Sequence, residues 1–247
     1  MNALSALFHH LANPALIVAL GAIPLLLIGF SLRLLRRRRT SRRKGVEGEQ
    51  QVAAALAKLR RPVLHDILIA DGRGGLTQID HVLRLPAGLL ALETKHYQGD
   101  IDGRANEQSW TQHLGGRRFT FYNPLRQNAG HVRALQRLLP EVTVWGRVVF
   151  TEAARFPDGM PDGLSRSTTL AVDLAPLLAL PADARVAKAW RQLRRAARTD
   201  RQTRRAHRLQ LRTRYGRDRQ ETLALGLLAA AEAWITALAA LVLWQQD

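Results

Sequence analysis

Two acids and a lysine in the middle of the chain have the types and spacing of a site that handles a metal ion and a phosphate. In the segment LLALETKH, Glu93 and Lys95 are two residues apart, so on a β-strand both side chains point to one face. A turn at Pro86-Ala87-Gly88 precedes them. If the hairpin is centred near Pro86-Ala87, Asp80 falls roughly opposite Glu93, and directly paired residues have Cβ atoms about 4.5–5.5 Å apart.

Two carboxylates at that separation repel one another unless a cation joins them, which is the requirement of a hard-metal site. Lys95 would then point at the ion's bound water or at a phosphate oxygen. A register slip of one residue would instead turn Asp80 to the wrong face. The plainer alternative is that Asp80, Glu93 and Lys95 are exposed surface residues, with a weak pairing of Glu93 and Lys95.

A further carboxylate comes from the helix predicted before the hairpin. Glu49 lies on the apolar stripe of Val52, Leu56 and Leu59, so it faces the sheet rather than solvent. A carboxylate there is costly unless it is paired or hydrogen-bonded. Glu49 is therefore either a charge favoured by the start of the helix or a residue close to the metal.

The elements around these residues alternate between helix and strand, which predicts an α/β domain. An Asn123-Pro124 pair is typical of a helix start, here of a helix ending near residue 139. After it the pattern predicts a strand, a loop, another strand and a long helix that continues into an arginine-rich segment. The predicted helix is 46–60, the predicted strands are 63–69, 76–85, 89–96, 144–151 and 168–172, and short β segments are predicted within 100–122.

The net charge of +17 is confined to two segments. Residues 33–44 carry eight cations and no acid, and residues 185–219 carry fourteen cations against two acids. The remainder holds fifteen cations and eighteen acids, so the central body is close to neutral. With no cysteine, disulfides and thiolate zinc sites are excluded, and the scattered histidines His65, His81, His96 and His131 do not predict a zinc site.

Two apolar runs are long enough to span a bilayer. Residues 11–32 contain no charge and end on a run of arginines, and residues 222–244 contain only Glu232, at a cost of about 2.5–3.5 kcal/mol near mid-span. The flanking arginines place the middle domain in the cytoplasm, and the preference for Arg, Ala and Leu suggests a bacterial inner membrane. The alternative for the second run is a helix packed on the soluble core.

Several motifs in order resemble the nuclease-related domain family, NERD, over roughly residues 45–150. They are GVEGEQQVAAAL from Gly45, TQIDHVLRLPAGLLALETKHYQGDIDG from Thr77, Trp110, and FYNPLRQNAGHVRAL from Phe121. This family is similar in turn to the restriction-endonuclease-like PD-(D/E)xK superfamily, with its mixed central sheet flanked by helices. One position departs from the wider pattern, because Ile79 stands where a proline often precedes the aspartate.

The resemblance implies roles for five residues. Asp80 and Glu93 match the metal-binding acids, Lys95 the catalytic lysine, Glu49 the acid of the first helix, and Gln127 a polar position on the helix after the core sheet. Gln127 shares a helix face with His131, and that face is expected to point away from a core stripe formed by Leu125, Ala129, Val132 and Leu139.

The resulting hypothesis is a membrane-anchored nuclease that uses Mg²⁺ or Mn²⁺ and acts on DNA rather than RNA. Lipid contacts are expected through the anchor and the arginine-rich segments. The alternative is that the arginine-rich helix binds the phosphates of nucleic acid and the central site is vestigial. The rival hypothesis is a non-catalytic nucleic-acid-binding or scaffold module that keeps the same fold, and the near-neutral body favours it. The predicted organisation is an anchor at 1–35, a basic linker at 36–44, an α/β domain at 45–175, an arginine-rich helical segment at 176–221 and a second span at 222–244.

Overall fold

The computed structural model describes residues 14–215 and 219–244 of the chain. It divides into two compact units. One unit comprises Arg43–Leu211, and the other combines the residues up to Arg42 with those from Arg212 onward. Helix α1 (Pro14–Ala57) belongs to both, so the predicted basic linker at 36–44 is helical.

The unit Arg43–Leu211 contains two β-sheets. The larger has the order β1-β2-β3-β7-β9 and the smaller the order β6-β5-β4-β8. In the larger sheet β1, β2 and β3 are antiparallel, whereas β7 and β9 run parallel to β3. The strands are β1 (Val63–Ala70), β2 (Leu76–Arg84), β3 (Gly88–Lys95), β4 (Gly99–Asp102), β5 (Ser109–Leu114), β6 (Arg117–Tyr122), β7 (Thr143–Phe150), β8 (Ala154–Arg155) and β9 (Leu164–Arg166).

Helices cover both faces of the five-stranded sheet. Successive side chains of β3 point to opposite faces, so they pack in two different clusters. Leu90 and Leu92 pack in a cluster with Val52 and Leu56 of α1. Leu89 and Ala91 pack in a second cluster, together with Leu135, Val186 and Trp190. The further helices are α2 (Pro124–Leu138), α3 (Leu170–Asp173), α4 (Ala175–Leu178), α5 (Arg185–Ala196), α6 (Arg201–Tyr215) and α7 (Arg219–Trp244). The prediction of a mixed α/β domain is confirmed.

Helix α2 begins at the predicted Asn123-Pro124 pair, and Asn123 is fully buried. Its Oδ1 atom accepts hydrogen bonds from the backbone N–H groups of Leu125 at 2.9 Å and Arg126 at 3.4 Å. Its Nδ2 atom donates to three backbone carbonyls of one loop, those of Arg104, Ala105 and Glu107. This one side chain therefore joins the start of α2 to the loop before β5.

Replacing Asn123 with alanine is expected to destabilise the protein by about 2–4 kcal/mol, since both a helix cap and buried carbonyl partners are lost. The measurement is the unfolding midpoint in urea. The matched control is Asn106→Ala in the same loop, at an exposed residue. Equal midpoints for the two variants would contradict the structural role given to Asn123.

Two predictions about the later elements are wrong. The strand expected at 168–172 lies earlier, as β9, and Leu170–Asp173 are helical. The long final helix is two helices, α5 and α6, which are separated at Ala197, where the backbone is extended. The predicted core stripe of α2 is incomplete: Leu139 is buried and Val132 packs against the core, but the buried residues of the helix also include Asn128, His131 and Leu135.

In the other unit α1 lies antiparallel to α7. The Ser31 hydroxyl donates to the Ala224 carbonyl at 2.8 Å, and the Trp234 Nε1 donates to the Leu20 carbonyl at 3.0 Å. Within the described residues, the segment Glu221–Ala240 of α7 is long and apolar enough to cross a membrane. Of the predicted first span at 11–32, residues 11–13 lie outside the described part, and the remainder is helical.

Candidate active site

The β2–β3 hairpin has the register that the turn at Pro86-Ala87-Gly88 predicts. His81 pairs with Leu92 and Val82 with Ala91, and one further step brings Asp80 to Glu93. The carboxylate of Asp80 accepts a hydrogen bond from the backbone N–H of Thr94 at 2.8 Å. The two acids therefore lie next to each other where the hairpin ladder ends.

Glu93 is the centre of a buried hydrogen-bond chain. Its side chain is 4 % exposed, with Lys95 Nζ 2.7 Å from Oε1 and His131 Nε2 3.1 Å from Oε2. Lys95 also donates to Oε1 of Gln127 at 3.0 Å, and His131 Nδ1 lies 3.0 Å from the Thr77 hydroxyl. Helix α2 thus supplies Gln127 and His131, one turn apart, to the strand that carries the acid and the amine.

The charges of Glu93 and Lys95 stabilise one another. Burial raises the pKa of Glu93, but the His131 hydrogen bond and the Lys95 charge outweigh it, so the pKa lies below its usual value. Burial lowers the pKa of Lys95, but the Glu93 carboxylate outweighs it, so that pKa lies above its usual value. At neutral pH Glu93 is ionised and Lys95 is an ammonium, so Lys95 is an electrostatic group and a donor, not a base.

The pKa of Asp80 is shifted in the opposite direction to that of Glu93. Burial and the neighbouring Glu93 carboxylate raise the pKa of Asp80 to about 8, and Glu49 adds to the shift. Burial also raises the pKa of Glu49, as do the carboxylates of Asp66 and Glu93, with partial compensation by Arg204. Three acids from α1, β2 and β3 therefore share one electrostatic environment, and without a cation Asp80 is mostly protonated at neutral pH.

Helix α1 approaches this region closely at Gly48. A Cβ atom added at Gly48 would lie 2.5 Å from the Cβ of His96, which directly follows β3. Only a residue without a side chain allows this contact, because the obstructing atom belongs to the fixed part of His96. The neighbouring Glu49 is half-buried as a result of the same packing.

The pairing of β1 with β2 is interrupted beside the site. The pairs His65–His81 and Ile67–Ile79 flank a step at which Asp66 faces Asp80 without a regular pair. Asp66 has a φ angle of +50°, which is uncommon for a residue with a side chain. Such local distortions occur preferentially at functional sites.

The ligands that this site offers are carboxylate oxygens, which suit Mg²⁺ or Mn²⁺. Among the residues that the structure describes, no group of three or more His, Asp or Glu side chains is placed to hold a metal. Mg²⁺ usually keeps several waters and takes one or two carboxylates together with substrate phosphates. The pair of Asp80 and Glu93 fits that pattern, because the raised pKa of Asp80 marks a negative cluster that a cation would relieve.

Two members of this hydrogen-bond chain were not assigned from the sequence. They are Thr77, and His131 as a partner of Glu93. The spacing of Gln127 and His131, four residues apart on one helix face, was the available signal. The other three histidines singled out from the sequence have different partners. His65 Nδ1 lies 2.8 Å from His81 Nδ1, and His96 Nδ1 lies 2.9 Å from the Thr151 hydroxyl.

The site thus consists of a buried Glu–Lys pair beside a second acid, on the mixed sheet of an α/β domain. Residues 44–151 match the family model described as the nuclease-related domain, NERD. This part of the chain is therefore similar to the nuclease-related domain family, as the sequence motifs indicated. The matched residues include Asp80, Glu93, Lys95, Glu49 and Gln127.

The chain is also similar to an uncharacterized protein of Bacillus anthracis. The two are 36 % identical over 101 residues, which cover 40 % of this chain and 48 % of the relative. The chain thus spans about half the length of the curated relative that it matches. No solved structure matches the chain.

Proposed function

We propose that the protein is a membrane-anchored nuclease that hydrolyses phosphodiester bonds, with DNA favoured over RNA, and depends on Mg²⁺ or Mn²⁺. The observation that carries the proposal is the buried Glu93–Lys95 pair beside Asp80, within a nuclease-related domain. This pair differs from a solvent-exposed ion pair, because Gln127 also contacts Lys95 and His131 also contacts Glu93. We further propose that the sheet is of the restriction-endonuclease-like PD-(D/E)xK type.

Asp80 and Glu93 would hold the ion, and the nearby carboxylate of Glu49 would raise the pKa of Asp80. A bound divalent metal lowers the pKa of a water molecule and neutralises charge on a phosphate. Lys95 stays protonated and donates towards the substrate phosphate or the attacking water, stabilising the charge that develops in the transition state. Gln127 and Glu93 keep its ammonium group in place through contacts of 3.0 and 2.7 Å.

The membrane anchoring rests on the apolar segment Glu221–Ala240 and on the apolar start of α1. Arginines 33–43 follow the first run directly, so the positive-inside rule places the nuclease-related domain in the cytoplasm. Anionic lipid headgroups would contact that basic run. In a bacterium this location is the inner membrane.

The direct test is cleavage of supercoiled plasmid and of single-stranded RNA by the full-length protein, with Mg²⁺, Mn²⁺ or EDTA. Wild type is expected to cut DNA only with metal, and Glu93→Gln to be at least about a hundredfold slower, because an ion ligand is lost. The control is Glu141→Gln, which removes a carboxylate that is 61 % exposed.

Equal cleavage by the Glu93 and Glu141 variants would contradict the assignment of the site. If wild type cuts neither substrate with either metal, yet binds DNA, the rival applies. The domain would then be a membrane-anchored binding or scaffold module that keeps the nuclease-like fold.

A further inference from the structure

Helix α6 begins against the free edge of the five-stranded sheet. Arg198, just before the helix, exchanges two backbone hydrogen bonds of 2.9 and 3.0 Å with Leu68 of the edge strand β1. Asp200 then accepts from the backbone N–H of Thr203 at 2.8 Å and from its hydroxyl at 2.7 Å, which starts the helix. The first turns of α6 are thus fixed to the domain that carries the candidate site.

One face of α6 contacts Asp66 of β1, beside the acids of that site. Arg204 forms an ion pair with Asp66 and also donates to its backbone carbonyl at 3.0 Å. Asp66 is the residue that faces Asp80 across the interrupted β1–β2 pairing. His207, one turn further along the same face, is 6 % exposed. The part of α6 up to Leu211 is therefore folded against the unit that carries the candidate site.

A neighbouring, solvent-exposed face of α6 carries three arginines at helical spacing, namely Arg201, Arg205 and Arg208. In the part of the chain that the structure describes, no acidic side chain pairs with any of the three. At 1.5 Å per residue they extend over about 10 Å, the axial length of about three nucleotides in one strand of B-DNA. The row thus has the charge and length to follow a short stretch of phosphates.

We propose that Arg201, Arg205 and Arg208 form a phosphate-backbone contact surface that positions a nucleic acid strand at the Asp80–Glu93–Lys95 site. The proposal rests on the proposed nuclease function and names the part of the molecule that holds its substrate. It also accounts for a domain whose remaining body is close to neutral, because the binding charge is supplied by a helix outside residues 44–151.

The test measures DNA binding without cleavage. Full-length Lys95→Ala protein in nanodiscs of neutral lipid is titrated onto a fluorescein-labelled 20-base-pair duplex, and anisotropy gives Kd at several KCl concentrations. Adding Arg201→Gln, Arg205→Gln and Arg208→Gln together is expected to raise Kd about tenfold or more. The slope of log K against log salt should fall by about 2.7, or about 0.9 per lost phosphate contact.

The matched control replaces Arg191, Arg194 and Arg195 of α5 with glutamine, which removes the same formal charge from another exposed helix face. It should change Kd by less than about threefold. A triple Arg→Lys variant of α6 should keep most of the binding, since charge rather than fork geometry serves a backbone contact.

Two results would overturn the inference: equal losses in the two glutamine triples, or no loss in the α6 triple. The second is expected if these arginines hold anionic lipid headgroups instead. DNA binding that depends on α6 in a protein that never cleaves would remove the nuclease proposal and leave this one standing. Cleavage by wild type with an unchanged salt slope in the α6 triple would remove only this one.

Discussion

Replacing Lys95 with alanine is expected to lower the rate of metal-dependent DNA cleavage about 10²–10³-fold, the usual cost of removing one transition-state donor. The ammonium lies 2.7 Å from Glu93 and 3.0 Å from Gln127, so its position is fixed before substrate arrives. A group held in advance needs no reorganisation during the reaction. The measurement is the single-turnover rate on plasmid with saturating Mn²⁺.

The fold should survive this substitution. The Lys95 side chain is 15 % exposed at the end of β3, and Glu93 keeps its hydrogen bond to His131. An unchanged circular dichroism spectrum would show this. Lys58→Ala, at an exposed lysine, controls for the loss of one positive charge. A Lys95 variant as fast as the Lys58 variant would leave the site without its proposed donor.

Replacing Asp80 with asparagine is expected to stabilise the metal-free protein, and the gain should increase between pH 5 and pH 8. The pKa of Asp80 is about 8 in the fold against 3.8 for an ordinary aspartate. Between these values the folded state holds a proton that the unfolded state has lost, so wild-type stability falls as pH rises. The difference between variant and wild type grows by up to about 1.4 kcal/mol per pH unit.

Urea unfolding of both proteins in EDTA at pH 5, 6.5 and 8 measures this difference. Asp102→Asn removes a carboxylate from an exposed residue of the same unit and controls for the change in net charge. Adding Mn²⁺ should stabilise wild type more than Asp80→Asn, since the ion would replace the proton. A gain that is constant or shrinks with rising pH would show that Asp80 is not held in a negative cluster.

The hairpin was predictable from sequence because its determinants are local. The Pro86-Ala87-Gly88 turn and the apolar run of β3 together specify which residues of β2 and β3 pair. Glu93 and Lys95 then follow on one face through the two-residue period of a strand. Glu49 was predicted to face the sheet for the same kind of reason, since Val52 and Leu56 define the buried side of its helix.

The surroundings of Glu93 were not predictable in the same way. Hydropathy placed the core face of α2 along Leu125, Ala129 and Val132, whereas the buried face includes Asn128 and His131. Polar residues are buried there because the strand opposite offers them partners, and that information lies in the tertiary structure. Hydropathy therefore does not identify the buried polar face of this helix, although it can identify a buried apolar face.

Long-range contacts and backbone distortion were also beyond the sequence. Arg204 and Asp66 are separated by 138 positions, and nothing in either segment specifies the other. The positive φ of Asp66 occurs inside a strand, and most aspartates do not adopt it, so the residue type alone does not predict it. Both features concern the edge of the sheet at β1, where the arginine-rich helix joins the domain.

Gly48 has a consequence for how the protein can be altered. A glycine inside a helix costs about 1 kcal/mol relative to alanine, yet the helix keeps it where α1 meets His96. The usual engineering remedy, an alanine at this position, would strengthen the isolated helix and at the same time push Glu49 away from the other acids. A more stable helix and the present spacing of the three carboxylates therefore require different residues at position 48.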